Sequence, residues 1–224
     1  FELARLLPAH GEVQALDRTA LDLADADAIA AAVRRIEPQI IVNAAGYTAV
    51  DRAESEPALA DAINARAPAI LAEEAKRLDA LLIHYSTDYV FDGMSGEPYR
   101  EQDHTHPLNV YGKSKLAGER AIAASGVAHL ILRTSWIYGW RGQNFLLTMR
   151  RLAATRDELR VVADQFGVPN WSRALAEATA GLVARGAAAL AAKSGVYHLS
   201  GRGRASWFDF ARAIFDHADR PRPR

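Results

Sequence analysis

The stretch Ala80-Leu-Leu-Ile-His-Tyr-Ser86 runs straight into Thr87-Asp-Tyr89, and its reading decides the fold. Five of its seven residues are apolar or aromatic with no in-out alternation, the pattern of a strand covered on both faces. Gln39–Asn43 and His129–Thr134 repeat it, and Glu12–Leu16 and Leu159–Ala163 are weaker versions. Between them, Asp25–Ile36, Asn64–Leu78, Asn109–Ser125 and Asn144–Ala154 place apolar residues three and four apart, which predicts helices. Strands alternating with helices predict an α/β protein with a doubly wound parallel sheet. Beyond Ala163 the alternation loosens into helices at Trp171–Arg185 and Ser206–His217 around one strand at Val196–Ser200. The chain therefore divides into a sheet domain, residues 1–140, and a smaller, mainly helical region, residues 141–224. Open parallel sheets bind ligands at the carboxyl ends of their strands. Asn43-Ala-Ala-Gly46, Ser86-Thr-Asp-Tyr89 and Arg133-Thr-Ser-Trp136 all lie just there.

Composition sets the outer limits. The chain has 224 residues, 27 basic and 27 acidic side chains, seven His and no Cys. At this length roughly 70% of the unfolded surface is buried on folding, so a core needs no disulfide or metal. The absence of Cys excludes disulfides and thiolate metal sites. Zero formal net charge leaves no basic field to hold nucleic acid or an anionic membrane. No apolar run approaches the roughly 20 residues that span a bilayer. A cytoplasmic protein acting on small molecules is the expectation. Phe1 stands inside a helix-like pattern, and Arg220-Pro-Arg-Pro-Arg224 is expected to end the order of the preceding helix.

Tyr111 and Lys115 are four apart in a predicted helix and so share one face. A phenol ionises near pH 10, and an adjacent ammonium that lowers this value makes it a better general acid. With a hydroxyl to fix a carbonyl, such a pair suits carbonyl reduction. With seven Tyr and four Lys in the chain, the spacing arises by accident in roughly one chain of this composition in eight. The small residues of Asn43-Ala-Ala-Gly46 suit a close approach of backbone to ligand, and equally suit a plain turn. Asp22 and Leu23 are candidates to lie over an adenine ring. Asp17 favours a free ribose 2′-hydroxyl and Arg18 a 2′-phosphate, so NADH and NADPH both stay open. No G-x-G-x-x-G or G-x-x-G-x-x-G loop occurs anywhere in the chain.

Longer runs carry a resemblance. Val42-Asn-Ala-Ala-Gly-Tyr-Thr-Ala-Val-Asp51, Tyr85-Ser-Thr-Asp-Tyr-Val-Phe-Asp-Gly93, Pro107-Leu-Asn-Val-Tyr-Gly-Lys-Ser-Lys-Leu-Ala-Gly-Glu119 and Arg133-Thr-Ser-Trp-Ile-Tyr138 resemble the dTDP-4-dehydrorhamnose reductases, a branch of the extended short-chain dehydrogenase/reductases. Val161-Val-Ala-Asp-Gln-Phe-Gly-Val-Pro169, Gly195-Val-Tyr-His-Leu-Ser-Gly201 and Ser206-Trp-Phe-Asp-Phe-Ala211 extend the match over nearly the whole chain.

The resemblance implies a Rossmann-like dinucleotide-binding domain, with its first strand and glycine loop outside this sequence, beside a substrate-binding region. It also implies reduction of the 4-keto group of a dTDP-4-dehydro-6-deoxy sugar by NADPH or NADH. Carried over residue by residue, Tyr111 is the proton donor, Lys115 lowers its pKa and holds the nicotinamide ribose, and Thr87 meets the sugar carbonyl. Gly46, Tyr47, Thr48, Tyr85, Asp22 and Leu23 match positions beside the cofactor, and Val50, Asp88, Tyr89 and Trp136 positions around the sugar nucleotide. A homodimer is a candidate assembly, and no metal ligands are assigned, although some relatives bind Mg²⁺ at a dimer interface. Two alternatives stand beside this reading: another nucleotide-sugar reductase or epimerase of the extended family, and a non-catalytic regulatory subunit of the same fold.

Overall fold

The computed structural model describes residues 1–217, so the expectation for Arg220–Arg224 lies outside the described residues. In chain order, α1 (Glu2–Leu6) and a 3-10 turn (Leu7–His10) precede α2 (Ala26–Ile36), β1 (Ile40–Asn43), α3 (Val50–Ala53) and α4 (Pro57–Asp61). A π-turn (Ala62–Arg66) joins α4 to α5 (Ala67–Arg77), followed by β2 (Leu81–Thr87), a 3-10 turn (Asp88–Val90), α6 (Val110–Ser125) and β3 (His129–Thr134). The remainder comprises β4 (Ile137–Tyr138), α7 (Phe145–Ala153), β5 (Phe166–Gly167), β6 (Asn170–Trp171), α8 (Ser172–Val183), α9 (Ala187–Ala191), β7 (Gly195–His198), β8 (Ala205–Ser206) and α10 (Trp207–Asp216).

The central sheet has four parallel strands in the order β1-β2-β3-β7. Successive side chains of a strand point to opposite faces, and here both faces are apolar. Leu82 and Ile131 face α2, α5 and α6, where they pack with Ile29, Leu71 and Ile122. Leu81, Ile83, Leu130 and Leu132 face the other way, against Leu190 of α9 and Leu182 and Val183 of α8. Helices thus cover both sides, as the unbroken apolar strands require. A separate aromatic cluster joins Met149 of α7 to Phe210 and Ile214 of α10.

Two predicted strands are absent. Glu12–Leu16 forms no ladder and is mostly exposed, because an extended segment becomes a strand only beside a partner, and among the described residues β1 pairs with β2 alone. Leu159–Ala163 makes one such bond, from the Phe208 amide to the Val162 carbonyl at 3.0 Å, and no ladder. The predicted strand Val196–Ser200 is β7, one residue earlier at its start, and it lies in the central sheet although it belongs to the C-terminal part of the chain.

Helix starts follow their caps. Asp25, Asn109 and Asn144 accept from the Ala28, Gly112 and Leu147 amides and begin α2, α6 and α7. Ser206 and Asp209 form a reciprocal capping box at α10. Asn64 is different. The sequence pattern starts a helix there, whereas the structure runs helical from Pro57, with Asn64 inside the π-turn and its side chain fully buried.

Two glycines bring α6 to its place. A Cβ at Gly118 would stand 2.2 Å from the Asn64 carbonyl oxygen, and one at Gly112 would stand 2.2 Å from the Tyr89 carbonyl oxygen. Only a bare backbone lets α6 lie this close to the π-turn and to the end of β2. Beneath it, Arg133 of β3 meets Glu119 of α6 through two bonds, Nε to Oε1 at 3.0 Å and Nη2 to Oε2 at 2.7 Å. Ser86 donates to the same carboxylate at 2.5 Å.

Candidate active site

At the carboxyl end of β2, the sheet hands its last residues to the first turns of α6. Tyr111 is 8% exposed and packs with Tyr47, Val50, Ala53 and Ala60. The Tyr89 ring meets it edge-on, with centroids 5.4 Å apart. Thr87 ends β2, accepts from the Tyr89 amide at 3.2 Å and donates to Asp88 Oδ1 at 3.2 Å. Thr87, Asp88, Tyr89, Val50, Tyr47 and Tyr111 therefore form one neighbourhood.

Burial pushes the Tyr111 phenol up to about 12; the Thr87 hydroxyl lowers it, and the charges of Asp88 and Tyr89 raise it further. The expectation that Lys115 depresses this phenol is not met: its Nζ is turned to Tyr85 and His84, and burial dominates. Protein atoms crowd the Asp88 carboxyl and raise it to about 6, chiefly by desolvation, against the bonds from Thr87 and the backbone. The residue as a whole still has an exposed surface.

Lys115 is 4% exposed. Its Nζ donates to the Tyr85 carbonyl oxygen at 2.7 Å and lies 3.1 Å from His84 Nε2. Desolvation lowers the lysine to about 8, opposed by the charge of Glu119 one turn along α6. The same burial, with Lys115 beside it, holds His84 well below the usual imidazole range. Tyr85 presents only its main chain to Lys115. Its ring points through the opposite face, where the hydroxyl meets Thr179 Oγ1 at 2.6 Å.

The loop after β1 lies over Lys115. A Cβ at Gly46 would stand 3.2 Å from Asn64 Oδ1 and 3.9 Å from Lys115 Nζ. Asn64 binds both main-chain polar groups of one loop residue, accepting from the Tyr47 amide at 2.8 Å and donating to the Tyr47 carbonyl at 2.9 Å. It also donates to Ser114 Oγ at 3.0 Å. The Tyr47 hydroxyl donates to Glu56, and Thr48 is exposed.

Other predicted site residues lie apart from this group. Asp22 is exposed and accepts from the Ala24 amide, while Leu23 packs on the α2–α5 core. The Asp17 carboxylate is occupied by Thr19 and Ala20, whose hydrogen bonds hold it below the usual carboxylate range. Trp136 stacks on Trp207 at 3.5 Å, within the α7–α10 cluster. Its φ of 44° is left-handed, a conformation costing a bulky residue on the order of 1–3 kcal/mol. Gly167, where a Cβ would strike the indole at 2.6 Å, leaves room for it.

Sequence reasoning passed over His84, Asn64, Ser114 and Glu119. His84 carried a readable signal, a polar ring set between Ile83 and Tyr85 in the apolar part of the strand. Among the described residues no cluster of three or more His, Asp or Glu is arranged to hold a metal ion, and no helix is long and apolar enough to cross a membrane.

Known proteins resemble this arrangement throughout. The family described as the RmlD substrate binding domain matches residues 1–224. A dTDP-4-dehydrorhamnose reductase of Burkholderia thailandensis is 49% identical over 217 residues, covering 96% of this chain and 73% of that protein. A Bacillus anthracis dTDP-4-dehydrorhamnose reductase, solved in complex with NADP, superposes with a TM-score of 0.89 at 38% identity, covering 96% of this chain and 75% of that one. The Thermus thermophilus UDP-glucose 4-epimerase solved with NAD shares the fold alone, at 17% identity and a TM-score of 0.78. With a family match along its whole length and identity of this order to its relatives, the chain belongs to the dTDP-4-dehydrorhamnose reductase family.

Proposed function

We propose that this site reduces the 4-keto group of dTDP-4-dehydro-6-deoxy-L-mannose to give dTDP-L-rhamnose, with NADPH or NADH as reductant, in the cytoplasm. The observation that carries the reading is the meeting of Thr87 and Tyr111 at the carboxyl end of β2, one helical turn from the buried Lys115, in a chain of this family. The residues present fit the nicotinamide-ribose end of such a cofactor. Gly46 brings the loop after β1 close to both Asn64 and Lys115, where a Cβ would stand 3.2 Å from Asn64 Oδ1 and 3.9 Å from Lys115 Nζ. No glycine-rich pyrophosphate loop is among the 224 residues. Lys115, Tyr111, Gly46, Tyr47, Thr48 and the Tyr85 main chain would hold the nicotinamide ribose, with Asp22 and Leu23 toward the adenine. Val50, Asp88, Tyr89 and Trp136 would line the sugar-nucleotide side, with Trp136 braced against the region 141–224 by its stack on Trp207.

The bound cofactor supplies a hydride to sugar C4. Tyr111 gives its phenolic proton to the oxygen at that carbon. A phenol held near 12 keeps its proton throughout the neutral range, so it rests in the donor form, and the alkoxide is basic enough to take that proton. The Thr87 hydroxyl, released from Asp88, would orient the carbonyl by hydrogen bonding, and it lies close enough to Tyr111 to lower its pKa. The packing of Tyr47, Val50 and Tyr89 around Tyr111 excludes water from the phenol.

The test is a coupled assay on the whole protein, with freshly generated dTDP-4-keto sugar and each reduced nucleotide in turn. Sugar-dependent oxidation of either nucleotide is expected. Its absence with both, in protein shown to be folded, overturns the reading.

A further inference from the structure

His84 is fully buried and has one polar neighbour at each ring nitrogen. Asn43 Nδ2 lies 3.1 Å from Nδ1, and Lys115 Nζ lies 3.1 Å from Nε2. The orientation of Asn43 is set by a third partner, because its Oδ1 accepts the Ala45 backbone amide at 3.2 Å. An amide whose oxygen is so engaged presents N–H to His84, so Nδ1 must accept and the single proton of the neutral ring sits on Nε2. That proton points at Lys115. An ammonium has no lone pair to receive it; a neutral amine has one. Nζ then accepts from His84 and still donates to the Tyr85 carbonyl. The charged alternative needs the ring proton on Nδ1 and Asn43 turned over to receive it, which takes the acceptor away from the Ala45 amide.

We propose that His84 is the positioning residue that decides whether Lys115 carries its proton, through a chain running Ala45–Asn43–His84–Lys115. With the ring proton on Nε2, Lys115 is held as an amine. Net uptake of one proton from water, with Nδ1 gaining a proton and the Nε2 proton passing to Nζ, leaves a neutral ring and an ammonium. The cost of that change is the Asn43 turn and the Ala45 bond. Charged and titratable groups on the elements packed around Lys115 do not supply the same control. Glu119 of α6 acts on Lys115 from one turn away, but its carboxylate is engaged by Arg133 of β3 and Ser86 of β2. Tyr111, one turn earlier on α6, keeps its proton in this range. Asn64 and Ser114 are neutral. The loop over Lys115 thereby becomes sensitive to the lysine's charge, through the Ala45 amide.

The proposal rests on Lys115 belonging to the reductase site, but its first test needs no catalysis. In whole protein labelled with ¹⁵N-histidine, long-range ¹H–¹⁵N correlations report which nitrogen of each ring is protonated, with the His84 signals assigned by their loss in His84→Gln. Above about pH 8 the neutral Nε2–H form is expected, giving way to Nδ1–H as pH falls, without an imidazolium in between. A ring protonated on Nδ1 at every pH, or an imidazolium near neutrality, overturns the proposal. In the cofactor-loaded enzyme, Asn43→Asp, which accepts from Nδ1–H, and His84→Gln, whose amide oxygen accepts from Nζ, should each favour the ammonium. Both should move the alkaline limb of kcat upward by about one pH unit or more. A fall in kcat with the limb unmoved in both variants would mean that His84 is only a packed core residue. If neither nucleotide is oxidised by wild type, the reductase reading fails while the NMR result still decides the histidine chain.

Discussion

Tyr111 and Lys115 show how burial acts on two groups of opposite charge type. Removing water disfavours the charged form of each, so the phenol rises to about 12 and the amine falls to about 8. For a proton donor the first shift maintains the resting form, and its rate depends on the alkoxide drawing the proton away. Tyr111→Phe removes the donor but little volume. Its kcat should fall by about 10² to 10⁴, the usual loss for a general acid, with a much smaller loss of nucleotide affinity from the missing hydroxyl at the ribose. Steady-state kinetics beside a fluorescence titration of bound nucleotide separates the two effects. Turnover at the wild-type rate would exclude Tyr111 as the donor. The pair's spacing was readable from sequence; the direction in which Nζ points was not, because it depends on the Tyr85 carbonyl and on His84, 30 and 31 residues away.

At the level of elements, α6 carries Tyr111, Lys115 and Glu119, and Gly112 and Gly118 set its depth. Gly118→Ala adds a methyl group 2.2 Å from the Asn64 carbonyl oxygen, where only backbone can yield. Alanine's better helix propensity returns less than about 1 kcal/mol, and overpacking of this kind costs about 1–3 kcal/mol. A net fall in unfolding free energy of about 1–2 kcal/mol is expected from urea denaturation, together with weaker nucleotide binding, since Asn64 also holds the Tyr47 amide. The strand reading succeeded where a ladder partner exists and failed at Glu12–Leu16 and Leu159–Ala163, where none does. Apolar character gives a segment the capacity to be a strand; the neighbour that makes it one is a nonlocal fact. The helix start misread at Asn64 has the same origin, since the buried side chain bonds to Tyr47 and Ser114 across the fold and not to its own helix terminus.

Over the whole molecule, two buried ionic features stand behind the site. Arg133 and Glu119 have side chains 6% and 4% exposed and are joined by paired bonds. Glu119→Ala strands the guanidinium in the core, and breaking a buried pair in this way costs about 3–5 kcal/mol, measurable as a lowered urea midpoint. Lys115 acts on stability through pH. Its folded value, about 8, lies below its ordinary 10.5, so the native state binds fewer protons than the unfolded chain between those limits. Stability from this residue is therefore present above about 10.5 and is lost as pH falls through about 8. At pH 7 the deficit against a neutral side chain is about 3 kcal/mol. Lys115→Met should gain most over wild type near pH 7 and progressively less toward pH 10, by chemical denaturation at each pH. A difference constant over that range would show that Lys115 is not desolvated in the folded protein.

Short-range chemistry in the sequence determined most of the architecture: unbroken apolar runs require a sheet covered on both faces, and Asp25, Asn109, Asn144 and Ser206 mark where helices begin. The residues Thr87, Tyr111 and Lys115 were legible for the same reason, since a strand end and an i, i+4 spacing are local geometry. Only the tertiary structure decided that β7 returns to the central sheet beside β3, that Trp136 stacks on Trp207 within the aromatic cluster, and that His84 stands between Asn43 and Lys115. Each of these depends on groups distant in sequence meeting in a space from which water is excluded. In that space a hydrogen-bond partner or a buried charge changes what a residue does, and residue type alone does not reveal which partner it will meet.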